Sequence, residues 1–287
     1  MKTTSIYNTI SKMKSAIKNQ FLITGITLIL FLGILKLPLD TGLENFDLSS
    51  QQSDNIITLI KNLVILILAI FAIKKLKLVE LSGLSKHIKV QNKFLILIPM
   101  YLVIIGVLSL LGTDLSSISA IDFILLSLAM LSVGFVEEFI FRGILQSVFL
   151  KKYGHKKSGI LLSIFFPAAL FGGLHLLTLD MSNIAASIGQ VVYAFFIGAA
   201  FGAILLKTNK LIPLAILHGI IDIVFSINAL LDDSAMAGEI EQQDIGQAIG
   251  SMLVVLPLFI VGLLIIRKIS LRSVQEKIVL SSKIELS

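Results

Sequence analysis

Cysteine and tryptophan are both missing from this 287-residue chain. Without cysteine there is no disulfide framework and no thiolate metal site. Without tryptophan there is no interfacial Trp belt of the kind many membrane proteins carry. Charge is scarce too: 15% of residues are Asp, Glu, Lys or Arg, against roughly 25% in a soluble domain. There is no internal repeat, no low-complexity tract and no H-E-x-x-H zinc motif. What fills the chain is hydrocarbon. Apolar residues make up 56% and the mean hydropathy is +0.96, so lipid is the expected solvent.

A bilayer core about 30 Å thick needs about 20 apolar helical residues. Eight stretches qualify: 21–37, 56–73, 94–112, 120–150, 158–178, 185–206, 211–231 and 247–266. The first is basic in front, as a signal peptide is, but Lys36-Leu37-Pro38-Leu39-Asp40 follows it instead of a small-residue cleavage site. It is expected to be a retained helix. The expected fold is all-α, a polytopic bundle of about eight transmembrane helices. Its parts are a basic amphipathic flank over 1–20, three accessory helices over 21–112, a core of four helices over 120–231, a last helix over 247–266 and a basic cytoplasmic tail over 267–287.

The segments between spans alternate in sign. Lys12, Lys14 and Lys18 precede the first span, and Asp40, Glu44 and Asp54 follow it. Lys74, Lys75 and Lys93 border the next connection; Lys151, Lys152, Lys156 and Lys157 border the fourth and fifth spans. Lys207 and Lys210 lie between the sixth and seventh, and Arg267, Lys268 and Arg272 close the chain. Asp114, Asp180, Asp232 and Glu239 occupy the other connections. The positive-inside rule puts the lysine-bearing side, with both termini, in the cytoplasm of a multi-pass cell-membrane protein. The net charge of +6 therefore sets topology, and nucleic acid is not expected as a partner. In the first 20 residues Ile6, Ile10, Met13 and Ile17 recur at helical spacing among lysines, as in a helix lying on the inner leaflet.

Ionisable groups inside a span are expensive, about 2.5–3.5 kcal/mol each on insertion scales, and usually face a protein interior or a water cavity. Lys36, Lys61 and Asp122 are read as lying near span ends, where they snorkel. The others fall on three spans. Span four carries Glu137-Glu138-Phe139-Ile140-Phe141-Arg142. Glu138 and Arg142 are i and i+4 on one face. Glu137 points about 100° away and needs a partner on another helix. Span five carries Phe171-Gly172-Gly173-Leu174-His175, whose glycines permit close helix approach. Span seven carries His218-Gly219-Ile220-Ile221-Asp222, again i and i+4. Asp222 is placed to fix the tautomer of His218, or the two to bind a metal or an oxyanion. The bland reading of each motif is a structural ion network or a packed histidine. A shared polar centre explains all three together. One difficulty is depth: counted from the lysine-bearing span ends, Glu137 and His175 lie deeper than His218.

In order, Glu137-Glu138-x-x-x-Arg142, Phe171-x-x-x-His175 and His218-x-x-x-Asp222 resemble the motif set of the CAAX protease and bacteriocin-processing (CPBP, or Abi) family of intramembrane proteases. The resemblance covers residues 120–231. It implies a hydrolase in which Glu137 is the base that activates water and His175 holds that water or a metal. His218 and Asp222 would stabilise the oxyanion or complete the metal site, with Glu138 and Arg142 orienting. The family is usually labelled metalloprotease, and a metal-free, glutamate-activated water has also been argued for it. Glu137, His175, His218 and Asp222 would make an N/O ligand set that zinc accepts. Eukaryotic members have Asn at the last position. Asp222 departs from that, and an ionised Asp is a poor oxyanion donor, which favours a metal or a role in orienting His218.

The implied partners are lipid and a peptide or protein substrate. Prenylated C-terminal peptides are the eukaryotic precedent. The Lys- and Ile-rich composition looks bacterial, which suggests leader or signalling peptides and export or signalling partners. Two other classes stay open: a non-catalytic bacteriocin-immunity or regulatory scaffold, and a proton-coupled transporter, against which the absence of matched halves counts.

Overall fold

The computed structural model describes residues 20–39, 46, 48–85, 92–178, 184–231 and 245–284. The amphipathic flank expected over 1–20 lies almost wholly outside them. The described residues form an all-helical bundle. Six helices are long and apolar enough to cross a membrane, and two shorter apolar helices, Gln20–Leu35 and Lys93–Ser109, stand where the first and third spans are expected.

The elements, in chain order, are α1 (Gln20–Leu35) and α2 (Ser50–Lys75), then α3 (Met100–Ser109) after a 3₁₀ turn. Next come α4 (Ala120–Glu137), a π-helical stretch over Glu138–Gln146, and α5 (Ser147–Tyr153). Then follow α6 (Lys157–Leu174), α7 (Ile184–Thr208), α8 (Leu211–Ser226), α9 (Ile245–Arg267) and α10 (Leu271–Ile284). The stretch from α4 to α5 is one continuous rod, Ala120–Tyr153.

Local chemistry fits these bounds. Ser49 caps α2: its hydroxyl accepts from the Gln52 amide, and the Gln52 side chain accepts from the Ser49 amide, a reciprocal capping box. Ser119 caps α4, its hydroxyl accepting from the Asp122 amide. Asp122 is indeed at a helix end and accepts a 2.7 Å bond from Gln52 of α2. Lys61 is not near an end. It sits well inside α2, and its ammonium donates to the Leu35 carbonyl at the C-terminus of α1, where the helix dipole favours a cation.

Between helices the contacts are those lipid demands. Buried Asn62 of α2 donates to Ser132 of α4 at 2.9 Å, and Gln146 donates to the Gly202 carbonyl of α7 at 2.9 Å. The core is apolar around Phe141, Ile144, Phe201, Ile204, Leu211 and Leu214. Leu211, the first residue of α8, is fully buried, and its amide donates to the Gly83 carbonyl at 3.3 Å. So α8 begins inside the bundle, beneath the buried turn that carries Leu78, Leu81 and Ser82. This recessed start answers the depth difficulty: His218 is only two turns into its helix, yet it reaches the level of Glu137.

The basic tail contains a helix. Residues 271–284 form the amphipathic α10, with Val274, Ile278 and Ser281 buried. Lys277 donates to the Leu206 carbonyl in the last turn of α7 at 2.7 Å.

Candidate functional site

The site begins with a close crossing of α4 and α8. A Cβ on Gly134 would fall 2.4 Å from the Gly219 amide nitrogen, and one on Gly219 would fall 2.7 Å from the Leu131 Cα. The two backbones touch, which only glycine on both sides permits. Of the two glycines noted on α6, Gly172 makes such a contact, with the Val191 carbonyl of α7, whereas a Cβ on Gly173 would meet nothing within 4 Å among the described residues.

Beside the crossing, His218 stands between two adjacent carboxylates that lie one turn further along α4. Its Nδ1 is 2.9 Å from Glu138 Oε1, and its Nε2 is 3.5 Å from Glu137 Oε2. The 100° between successive residues of α4 thus aims Glu137 and Glu138 at opposite edges of one imidazole. The partner Glu137 needed on another helix is His218. Glu138 Oε1 also lies 2.9 Å from Arg142 Nη1, the expected i,i+4 pair, with both side chains essentially fully buried. The guanidinium is held 5.0 Å from the Phe171 ring centroid and 5.9 Å from that of Phe201, so two aromatic faces share in compensating a cation far from water.

The π-helical turn bears on this arrangement. Every residue from Glu138 to Gln146 is buried, and the wider turn frees a carbonyl at Arg142, which accepts from the Ser147 hydroxyl five residues on. Insertions of this type recur at functional sites.

Asp222 was a candidate for fixing the His218 tautomer. The structure gives that position to Glu138. Asp222 Oδ2 is 3.9 Å from Nε2, on the other side of the ring, and has no hydrogen-bond partner among the described residues. Sharing a helix face makes two side chains neighbours; it does not choose which ring nitrogen they meet. His175 follows the last residue of α6, and its ring packs edge-on to Phe171 at 5.6 Å. Phe171 also meets the His218 ring edge-on at 6.1 Å, and Phe201 does so at 5.5 Å. The two histidines are therefore linked through one phenyl ring.

Glu137, His175, His218 and Asp222 all line one cavity of about 660 Å³. The structure thus brings every expected site residue to one place, with Glu138 and Arg142 packed behind. Sequence reasoning missed the opposite wall, where α7 contributes Ser187, Gln190 and Tyr193 and α9 contributes Ser251. These are isolated polar residues in apolar helices, and that was the only signal for them.

The expected metal set is not assembled. Among the described residues no group of three or more His, Cys, Asp or Glu side chains converges so as to hold a metal ion. Nδ1 of His218 is taken by Glu138, which leaves one ring nitrogen toward the cavity. The donors as arranged do not fit a divalent ion, and no step below is routed through one.

A carboxylate–imidazole cluster buried among membrane-length helices defines a polytopic membrane protein with a polar chamber in its apolar core. Residues 119–224 match the family described as type II CAAX prenyl endopeptidase Rce1-like. That segment contains all six residues of the cluster. The segment is similar to that family, which is consistent with a CPBP-family intramembrane protease and supports intramembrane endopeptidase activity in general. No curated protein and no solved structure matches the chain.

Proposed function

We propose that this protein hydrolyses peptide bonds of membrane-associated peptides or proteins, with Glu137 as the base that activates water. One observation carries the reading. Nε2 of His218 faces Glu137 at 3.5 Å and Asp222 at 3.9 Å on the wall of a large cavity among membrane-length helices. A peptide bond in lipid has no water beside it, and such a chamber supplies one.

In this reading each side chain has one role. Glu137 takes a proton from a water steadied by His175, and the resulting hydroxide adds to the scissile carbonyl carbon. The carbonyl π pair moves to oxygen. His218, whose Nδ1–H is held by Glu138, presents Nε2–H to that oxyanion. A preorganised donor of this kind is worth about 10²–10³ in rate. Asp222, across Nε2, stabilises the imidazolium that carries both protons. Glu137 then returns its proton to the amide nitrogen as the C–N bond breaks, leaving a carboxylic acid and an amine. Arg142, paired with Glu138 at 2.9 Å, holds that carboxylate in place. The reading is glutamate-based and metal-free.

The substrate lies between two classes. The matching family's name points to C-terminal prenylated peptides, and the bacterial look of the composition points to leader or signalling peptides. The test compares new peptide termini, by mass spectrometry, in cells carrying the wild-type chain, Glu137→Gln or His175→Ala, with accumulation followed by immunoblot. The expected result is a set of termini lost in both variants while both proteins accumulate. An unchanged set in both would end the protease reading and leave a membrane scaffold.

A further inference from the structure

The cavity is not centred on the cluster; it rises from it in one direction only. On α4 its lining continues from Glu137 to Val133 and Met130, toward the N-terminus. On α7 it uses the N-terminal half, from Ala186 to Ile197. On α8 it runs from His218 to Ser226, the C-terminal half, and on α6 it takes Phe171 and His175 at the C-terminal end. On α9 it takes Ser251 and Val254, in the N-terminal half.

The basic residues of these helices sit at the opposite ends. Lys151 and Lys152 end the α4–α5 rod, and Lys157 begins α6. Lys207 ends α7, Lys210 precedes α8, and Arg267 ends α9. Below the cluster, toward the lysines, the bundle is closed. The whole stretch Glu138–Gln146 is buried, and Phe141, Ile144, Phe201 and Leu211 fill the space with hydrocarbon. The turn carrying Leu78 and Ser82 covers the start of α8. Above the cluster, Ser187, Gln190, Tyr193 and Ser251 supply hydroxyl and amide groups and no charge, a lining suited to the N–H and C=O groups of an unfolded peptide.

Because basic connections stay in the cytoplasm, we infer that the chamber is entered from the non-cytoplasmic side. The peptide it takes is a secreted, lumenal or outer-leaflet segment, not a cytoplasmic tail. Of the two substrate classes above, this selects exported leader or signalling peptides over cytoplasmic prenylated C-termini. The choice of substrate rests on the protease reading; the direction of access does not.

The absence of cysteine makes access directly measurable, since any single cysteine introduced is the only thiol. Four single-cysteine proteins are compared in intact cells with a membrane-impermeant, charged methanethiosulfonate. Ser187→Cys and Ser251→Cys report the upper cavity. Asp114→Cys reports the acidic face and Lys156→Cys the basic face, both exposed positions. Expected is labelling of Ser187→Cys, Ser251→Cys and Asp114→Cys from outside, with Lys156→Cys reacting only after permeabilisation. Cavity cysteines that react only after permeabilisation, or not at all while Asp114→Cys reacts, overturn the inference. So does Asp114→Cys that reacts only after permeabilisation. Repeating the labelling in the Glu137→Gln background separates access from catalysis: loss of the protease reading would leave the labelling pattern unchanged. If cleavage is found, Glu137-dependent termini are expected in non-cytoplasmic segments, and their location in cytoplasmic segments would refute the substrate assignment.

Discussion

Gly134→Ala is the sharpest test of the site, because the new methyl meets backbone and nothing flexible. Its Cβ would lie 2.4 Å from the Gly219 amide nitrogen, 2.8 Å from the Ala215 carbonyl oxygen and 2.8 Å from the Gly219 Cα. No rotamer relieves such contacts. Ordinary van der Waals contact starts near 3.4 Å, so α4 and α8 must separate locally by about 1 Å, an overpacking strain of order 1–3 kcal/mol. The same crossing sets the 3.5 Å between Glu137 and His218, one turn away. A misplacement of about 1 Å costs about 10²-fold in a catalytic step. The expected outcome is a roughly hundredfold slower cleavage, with a lowered melting temperature in detergent and the protein still folded. Gly173→Ala is the control: its Cβ would meet nothing within 4 Å among the described residues and it replaces glycine by a better helix former, so rate and melting temperature should hold or improve. Wild-type turnover in Gly134→Ala would refute the claim that this crossing positions the two reacting side chains.

Other outcomes follow from the same geometry. Arg142→Leu leaves Glu138 buried without its cation and should cost about 3–5 kcal/mol of stability, read as a drop in thermal midpoint; an unchanged midpoint would contradict the buried pair. Glu138→Gln loosens Nδ1 of His218 and should slow cleavage about 10–100-fold. Asp222→Asn, which leaves Nδ1 held, should slow it less, and the reverse order would assign orientation to Asp222. Since the donors do not converge as a metal site, a strong chelator such as phenanthroline should leave cleavage intact; inhibition that added zinc restores would refute the glutamate-only chemistry.

Lys277 gives a pH prediction outside the membrane spans. Burial, and then the neighbouring Lys207, push its ammonium down to about 8 from its ordinary 10.5. The docked state therefore sheds its proton first. Docking of α10 is weakest where both states are protonated, below pH 8, and strengthens as pH rises from about 8 toward 10.5. Proteolytic release of α10 should slow over that window. Lys277→Met should flatten the dependence, and a persistent slope would place the titration elsewhere.

Much of this protein was legible in one dimension. Lipid dictates long apolar runs, and the segregation of lysine from aspartate orders them. Charges within a span stand out because each is costly, and that is why Glu137, Glu138, Arg142, His175, His218 and Asp222 could be picked out before any contact was known. Helical periodicity likewise yields the Glu138–Arg142 pair. Periodicity fixes only an angle about a residue's own axis, however. Which ring nitrogen Glu138 takes depends on where α4 and α8 cross, and that was decided by Gly134 meeting Gly219 and by an α8 that starts inside the bundle. The polar wall of α7 and α9, and the one-sided rise of the cavity, depend on how whole helices tilt and stop. Those are sums of many weak non-local packing terms, and no local pattern in the chain records them.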